Sequence, residues 1–406
     1  MKNNLLKLMM LVVASFIGMT GDGQTAYIAN SGDNTVSVIN VATNSVVATI
    51  PVGNSPFGVS VSPDGTRVYV TNSFSNSVSV INTTNASVIA TIPINGSPIG
   101  IVVSPNGNKV YVSTIDSNTV CVITTATNSI SNVIHFGAEP NGLSVSPDGS
   151  KVYVAMSGNN TVSIINSIVD TVSATIPVGH NPCGISFSPD GTKVFVTNNN
   201  ENTVNIINAI TGNVIDTINV GNLPKGISVS PDGRMIYVVN EGSNSVSVID
   251  SITNTVSSTI SVGLVPNGIS VSPEGNKVYV VNYVQGTVSV INTSTNTVVD
   301  TIIVGVNPYS IGNFISTATV GIPSITAPTP SISIYPNPTN SILNIKTLPF
   351  QLNSQLIITD IMGNEVYHET LTGIDNSIAI TTWSAGLYFY EIRSNNEVAR
   401  GKFVKE

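Results

Sequence analysis

The chain has 406 residues, of which 41% are hydrophobic, 9% charged and 6% aromatic. Its net charge is −8, and only seven of its 14 basic residues lie between residues 8 and 331, so a basic stripe for nucleic acids is excluded there. The length exceeds one ordinary core, which leaves either several domains or one large repeat domain.

The first 24 residues are predicted to be a secretory signal peptide. Lys2 and Lys7 flank the start of an apolar stretch, Leu8 to Ile17, that is too short to span a bilayer. Small residues follow from Gly18 to Gly23, which places cleavage between about residues 18 and 24. A buried first strand or helix is the alternative. No later apolar run approaches the length of a membrane span, so no transmembrane segment is expected in the mature chain.

An aromatic residue returns every 42 residues through most of the chain, and this period predicts a repeat architecture. The seven aromatic positions are Tyr27, Tyr69, Tyr111, Tyr153, Phe195, Tyr237 and Tyr279. Each repeat contains four short runs of alternating or β-branched residues separated by turn residues, which predicts four strands. Helical repeats of similar length need long runs of good helix formers, and this chain has none.

Two recurring turn patterns separate the predicted strands. Serine, proline, an acidic or amide residue and glycine recur in one of them, as at Ser62–Gly65, and turn geometry accounts for these residues better than a calcium site does. Asparagines before a Ser/Thr-Val pair are predicted to be left-handed turn residues; they are Asn34, Asn76, Asn118, Asn160, Asn202 and Asn244.

Counting the strands predicts that the repeats close into a ring. The first repeat lacks its first strand, because the chain enters at Thr25 directly into a second strand. An extra first strand is predicted at Pro308–Ile315, and no second strand follows it. We therefore expect an all-β fold over residues 25–316, a seven-bladed β-propeller in which the last strand completes the first blade and removes an exposed edge.

The repeats resemble a known family of β-propellers. The tetrads beginning at Tyr69, Phe195, Tyr237 and Tyr279, together with the turn at Ser62–Gly65, are similar to YVTN-type repeats, relatives of lactonase-like propellers. This resemblance covers about 290 residues. It implies a class that includes surface-layer and other cell-surface proteins of prokaryotes.

The candidate site lies at one mouth of the channel that the first strands line. The repeats differ there in the residue after the proline that opens each first strand, and in two residues shortly before it. The candidate ligand-facing residues are Phe57, Ile99, Glu139, Asn141, His180, Cys183, Lys225, Asn267 and Tyr309. Such variation fits a ligand site and neutral channel lining equally well.

Several kinds of chemistry are open to these residues, although none has a complete set of partners. The lactonase-like resemblance implies that Glu139, Asn141 and Asn267 could give oxygen ligands to a divalent ion such as calcium. His180 and Cys183 are a base and a nucleophile by residue type, and Lys225 could bind an anion. No cofactor, metal site or catalytic residue is assigned. Cys121 and Cys183 fall at different repeat positions, so two free thiols are expected.

A second domain is predicted after a linker at residues 317–330 that is rich in Pro, Thr and Ser. Residues 331–406 contain six or seven short strand patterns, which favours a small β-sandwich. Four landmarks resemble a type IX secretion sorting domain of type A, as found in Bacteroidetes. They are Tyr335-Pro336-Asn337-Pro338, Asp360–Gly363, Gly386-Leu387-Tyr388-Phe389 and Lys402-Phe403-Val404-Lys405.

This resemblance implies export by the type IX machinery, removal of the domain, and a propeller attached or released at the cell surface. An ordinary adhesive module is the alternative for residues 331–406. For the whole chain, two functions remain open. One is a non-enzymatic propeller that binds a surface protein or glycan or forms a coat. The other is a secreted lactonase-like hydrolase with a divalent metal at the channel mouth.

Overall fold

The computed structural model describes residues 24–316, 333–335, 339–346, 354–361, 363–373, 375–393 and 398–406. The predicted signal peptide, apart from Gln24, and the predicted linker at 317–330 lie outside these ranges. The described residues form two compact units. The first ends before residue 324, and the second contains the described residues after it. They contain strands, turns and a single short 3-10 helix, Glu241–Ser243.

The first unit consists of seven antiparallel sheets over residues 25–303. Six of them have four strands in chain order, and the sheet that contains the first strand has three. The strands that begin at a proline, here called the inner strands, are β4 (Pro56–Val61), β8 (Pro98–Val103), β12 (Pro140–Val145), β16 (Pro182–Phe187), β20 (Pro224–Val229) and β24 (Pro266–Val271).

The other three strands of each sheet follow by short turns. The second strands are β1 (Thr25–Asn30), β5 (Arg67–Asn72), β9 (Lys109–Thr114), β13 (Lys151–Met156), β17 (Lys193–Asn198), β21 (Met235–Asn240) and β25 (Lys277–Asn282). The third strands are β2 (Thr35–Asn40), β6 (Ser77–Asn82), β10 (Thr119–Thr124), β14 (Thr161–Asn166), β18 (Thr203–Asn208), β22 (Ser245–Asp250) and β26 (Thr287–Asn292). The outer strands are β3 (Ser45–Pro51), β7 (Ser87–Pro93), β11 (Ser129–His135), β15 (Thr171–Pro177), β19 (Val214–Asn219), β23 (Thr255–Ser261) and β27 (Thr297–Ile303).

The hydrophobic core lies between neighbouring sheets. The repeating aromatic residue is the third residue of each second strand and is almost fully buried in every copy. Tyr69, for example, packs in one cluster with Ile101, Val103, Val110 and Val112 of the next sheet. The 42-residue period therefore reflects one large buried side chain at each sheet-to-sheet interface.

Residues 308–316 complete the first sheet. The Tyr27 amide donates to the Phe314 carbonyl at 2.9 Å, and the Tyr309 amide donates to the Ala29 carbonyl at 2.8 Å. On the other side of this segment, the Val59 amide donates to the Ile311 carbonyl at 3.0 Å. The predicted strand is thus present as a closing segment, but its pairing is limited to isolated bridges.

The turn predictions are confirmed. The Ser62 hydroxyl donates to Asp64 Oδ1 at 2.6 Å, the same oxygen accepts from the Thr66 amide at 3.0 Å, and Gly65 has a φ of 71°. The six predicted asparagines have φ between 48° and 60°. Several of them also link two repeats, since Asn34 Oδ1 accepts from the Ser55 amide at 2.8 Å. Cys121 and Cys183 are free thiols, as expected.

The second unit is a β-sandwich of two sheets with its own core. Its strands are β28 (Ser333–Tyr335), β29 (Ile342–Lys346), β30 (Ser354–Thr359), β31 (Glu365–Leu371), β32 (Asp375–Ala379), β33 (Gly386–Arg393) and β34 (Val398–Lys405). One sheet has the order β28-β29-β32, and the other has the order β31-β30-β33-β34. Leu343, Leu356, Ile358, Tyr388 and Phe403 are among the buried residues between them.

Candidate functional site

The prolines that open the inner strands place the varied residues around the channel axis. The third residue of each inner strand is glycine, and a Cβ there would collide with the next inner strand. A Cβ on Gly184 would lie 2.1 Å from the Lys225 carbonyl oxygen, and one on Gly142 would lie 2.3 Å from that of Cys183. Glycine therefore allows the inner strands to approach closely. We call the end of the channel at the varied residues the proline mouth, and the end at the serine-proline turns the turn mouth.

Tyr309 is the centre of the contacts at the proline mouth. Its ring centroid lies 4.5 Å from that of Phe57 and 6.2 Å from that of Tyr283, which is oriented edge-on at 84°. The Lys225 ammonium donates to Tyr309 Oη at 3.3 Å and lies 5.5 Å from the ring centroid. One side chain from the closing segment therefore contacts residues of three other sheets.

Lys225 is held by an ion pair that the sequence did not suggest. Its Nζ lies 2.6 Å from Glu241 Oε2, and each side chain is only about a quarter exposed, at 25% and 23%. Burial acts to lower the pKa of Lys225, but the adjacent Tyr309 and Glu241 oxygens raise it to about 12. Because Lys225 is already neutralised by Glu241, it is not a free anion site. In the sequence, the only indication of this ion pair is that Glu241 directly follows a tetrad, Tyr237–Asn240.

His180 and Cys183 differ in their surroundings. The His180 side chain is 67% exposed, and its Nδ1 lies 3.3 Å from Glu201 Oε1. The Cys183 thiol receives a 3.8 Å contact from the Asn141 amide, and burial raises its pKa to about 11. A thiol with a raised pKa is a weak nucleophile at neutral pH. The arrangement thus gives Cys183 no activating base among its described contacts.

Two of the predicted ligand-facing residues are buried and have little contact with solvent. Ile99 is 9% exposed and Asn267 is 1% exposed. The Asn267 amide donates to the Pro308 carbonyl at 3.2 Å, and its Oδ1 is buried without a partner among the described residues. Neither side chain therefore presents an open surface at the proline mouth, and their ligand-facing role stays a prediction.

The proposed metal ligands have different environments. Glu139 is exposed, the Asn141 amide points to the Cys183 sulfur, and Asn267 is buried. Among the residues that the structure describes, no group of three or more His, Cys, Asp and Glu side chains is placed to hold a metal ion. A calcium site at these residues therefore stays a hypothesis that rests on the sequence resemblance alone.

The channel is much wider toward the turn mouth than at the proline mouth. Next to Tyr309 the space is only about 30 Å³, about the share of one water molecule in the liquid. Beyond Gly184, Gly226 and Ile311, which line both spaces, a cavity of about 450 Å³ extends to the prolines of the turns. Sequence reasoning missed this cavity because its lining residues hardly vary between repeats.

The sorting landmarks of the second unit are joined by strand pairing. Gly386, Leu387 and Tyr388 of β33 pair with Lys405, Val404 and Phe403 of β34. The Tyr388 and Phe403 rings stack with centroids 5.6 Å apart, which fixes this register from within the core.

The remaining landmark residues lie on β34, in a turn and on the other sheet. Lys402 is exposed and Lys405 is buried. Asp360 and Gly363 form the turn after β30, where the Gly363 amide donates to the Asp360 carbonyl at 3.1 Å and Gly363 has a φ of 83°. Tyr335 ends β28, while Pro336, Asn337 and Pro338 lie outside the described residues.

Comparison with protein-family models identifies both units. A YNCE-like β-propeller model matches residues 11–114 and 184–278, and a secretion system C-terminal sorting domain model matches residues 333–406. One curated protein, the PE-PGRS family protein PE_PGRS18 of Mycobacterium tuberculosis, is 54% identical over 41 residues. That segment is 10% of this chain and 9% of the relative, so the similarity extends to one repeat length only.

Two solved structures share the fold of the first unit. Hydrazine synthase of Kuenenia stuttgartiensis matches with a TM-score of 0.62 and 23% identity, over 70% of this chain and 99% of that one. A functionally unknown protein from Desulfotomaculum acetoxidans matches with a TM-score of 0.63 and 18% identity, over 71% and 99%. At these identities the likeness shows the fold alone.

In the described part of the chain, no helix has the length and apolar character of a membrane span.

Proposed function

Because this chain is a secreted, surface-attached protein that combines a YNCE-like β-propeller with a type IX sorting domain, we propose that its propeller is a non-enzymatic binding module. The sorting domain requires the type IX secretion machinery and places the propeller at the cell surface. The bound partner is an extracellular protein. It contacts the loops around the proline mouth, here called the loop face.

The observation that carries this proposal is the uneven distribution of apolar residues on the loop face. Large exposed apolar side chains occur on four consecutive sheets, those of β20, β24, β1 and β4. They are Leu223, Leu264, Val284, Val306 and Phe74, with exposed fractions of 42%, 45%, 56%, 54% and 80%. The other three sheets present no exposed large apolar residue in these loops. An apolar surface bordered by polar residues is typical of a protein-interaction site.

The remaining sheets give this face an acidic half. Asp116, Glu139 and Glu201 are exposed in the loops of the sheets that contain β8, β12 and β16. In these loops the one basic residue by type is His180, and it already faces Glu201. A partner that presents an apolar patch beside Lys or Arg side chains would complement both halves. This favours a protein over a neutral glycan.

The backbone of the loop face is held in a defined shape. Leu223 and Val265 have φ values of 52° and 53°, a left-handed conformation that is unfavourable for branched residues. Their amides donate to Asn202 Oδ1 at 2.9 Å and to Asn244 Oδ1 at 2.8 Å, which stabilises this conformation. A loop fixed before binding loses less entropy when a partner binds.

A binding screen of the mature protein against extracellular proteins and glycans tests the proposal. We expect a protein ligand whose affinity falls at least tenfold in Leu264→Ser/Val284→Ser, while the thermal melt is unchanged. The matched control is Ile210→Ser, which removes an equally apolar side chain, 80% exposed, from a turn at the opposite end of the sheets.

Three results would contradict the proposal: a glycan as the only ligand, equal losses in both variants, or catalytic turnover. Calcium-dependent ester or lactone hydrolysis that disappears in Glu139→Gln would establish the hydrolase alternative instead.

A further inference from the structure

The large cavity of the channel is a second candidate site, distinct from the loop face. It is lined by residues of β8, β12, β16, β20, β24 and the closing segment. The lining follows β12 from Gly142 to Val145 and continues to Pro147 in the next turn, and five residue steps span at most about 16 Å. Its volume of about 450 Å³ lies within the range of small-molecule sites, roughly 300–1,000 Å³. At one end it meets the small space next to Tyr309 along Gly184, Gly226 and Ile311, and at the other end it reaches the prolines of the turns.

The lining has no charged side chain. Valine, isoleucine, leucine and one phenylalanine, Phe187, alternate with serine, glycine and proline, and Asn313 adds a single amide. A charged ligand would lose its hydration there without gaining a partner, which is strongly unfavourable. The pocket therefore selects for uncharged molecules with a long apolar surface.

Serine hydroxyls supply the polar contacts, and they are not equivalent. Five inner strands carry serine at one repeat position, namely Ser60, Ser144, Ser186, Ser228 and Ser270. Ser60 Oγ accepts from the Val103 amide at 3.1 Å, Ser228 Oγ accepts from the Val271 amide at 3.2 Å, and the Ser270 hydroxyl donates to Asn313 Oδ1 at 3.1 Å.

Ser144 and Ser186 are different, because their hydroxyls have no hydrogen-bond partner among the described residues. Both are half-buried, both line the cavity, and they belong to the neighbouring inner strands β12 and β16. Each hydroxyl can both donate and accept, so the pair can hold a neutral group such as an alcohol or an amide.

We propose that this pocket binds an elongated, uncharged amphipathic molecule, an alkyl or acyl chain that ends in a neutral hydroxyl or amide group. The polar group is held by Ser144 and Ser186, and the chain lies along the valine and isoleucine rows of the inner strands. Binding here does not depend on the loop face, since the Tyr309 contacts lie between the two.

Titration of the purified full-length protein with 1-octanol and with octanoate, followed by calorimetry and ligand-detected NMR, tests this assignment. We expect saturable binding of 1-octanol and at least tenfold weaker binding of octanoate, which has the same length but a charge. Ser144→Ala/Ser186→Ala should weaken 1-octanol binding about tenfold, because two modest hydrogen bonds are lost. Val229→Trp, which fills the pocket from β20, should abolish binding.

The matched control is Ser60→Ala, at the same repeat position but outside the pocket lining, and it should bind 1-octanol like the wild type. Melting temperatures of all variants establish that they are folded. The assignment is overturned if 1-octanol shows no saturable binding, if octanoate binds as tightly, or if the Ser144→Ala/Ser186→Ala and Ser60→Ala variants lose affinity equally.

Discussion

The two mouths of the channel differ in a way that reverses what the repeats suggest. At the proline mouth the repeats vary, yet the varied side chains contact one another and leave about 30 Å³. At the turn mouth the repeats are nearly uniform, yet about 450 Å³ stays open. Variation among repeats therefore does not indicate exposure. Around a common axis, a few large side chains fill space that a uniform set of smaller side chains leaves empty.

The close approach of the inner strands supports both mouths, and breaking it should have the largest effect. We expect Gly184→Ala to destabilise the propeller by about 3 kcal/mol, because its Cβ would lie 2.1 Å from the Lys225 carbonyl oxygen and the backbone must shift. Chemical denaturation measures the change. Gly137→Ala is the control, since nothing lies within 4 Å of a Cβ at that position. Similar unfolding midpoints for the two variants would refute the account of glycine.

The second prediction compares the large side chains at the two mouths. Tyr309→Ala removes the ring that contacts Phe57, Tyr283 and Lys225, and should cost about 2–3 kcal/mol. Phe187→Val restores the residue found at this position in the five other inner strands, removes the edge-on ring contact with Tyr153, and should cost about 1–2 kcal/mol. Thermal and urea unfolding measure both. A larger loss of unfolding free energy in Phe187→Val than in Tyr309→Ala would show that the aromatic residue at the turn mouth contributes more to stability than the one at the proline mouth.

The smallest expected effect is on the pH dependence of stability, to which charged groups at the two mouths contribute at opposite ends of the pH range. The folded pKa of Lys225 is raised from 10.5 to about 12, so its contribution is complete below pH 10.5 and is lost as the pH rises through about 12. In the turns, serine hydroxyls and backbone amides lower the pKa of Asp148, Asp190 and Asp232 below 3.8. Their contribution is present above pH 3.8 and is lost as the pH falls further.

Melting temperatures across the pH range should therefore decline at both ends for different reasons. Lys225→Met should flatten part of the alkaline decline and leave the acid decline intact. Asp190→Asn should do the reverse, by a few tenths of a kcal/mol at most, since this carboxylate is exposed. If Lys225→Met alters the acid limb as much as the alkaline one, the lysine does not act through its own titration.

The sequence by itself determined the repeat unit and its consequences. A buried aromatic residue every 42 positions, proline and glycine at the inner strands, and asparagine at left-handed turns each follow from local backbone and packing needs. The missing first strand and the extra Pro308 segment likewise predicted closure, since unpaired strand edges favour pairing. The landmarks of the sorting domain were also found in the sequence, by their resemblance to type IX sorting domains, and the family model matches the same region.

Only the tertiary structure decided which of the varied residues contact one another and where the channel is open. The Tyr309–Lys225–Glu241 contacts join the closing segment to the sheet of β20, although Tyr309 and Lys225 are 84 residues apart and the three residues occupy repeat positions that carry no common pattern. The free hydroxyls of Ser144 and Ser186 belong to the same sequence pattern as the bonded ones of Ser60 and Ser228. Because the residue pattern is the same at all four positions, only the distances between neighbouring strands in the folded chain distinguish the two pairs.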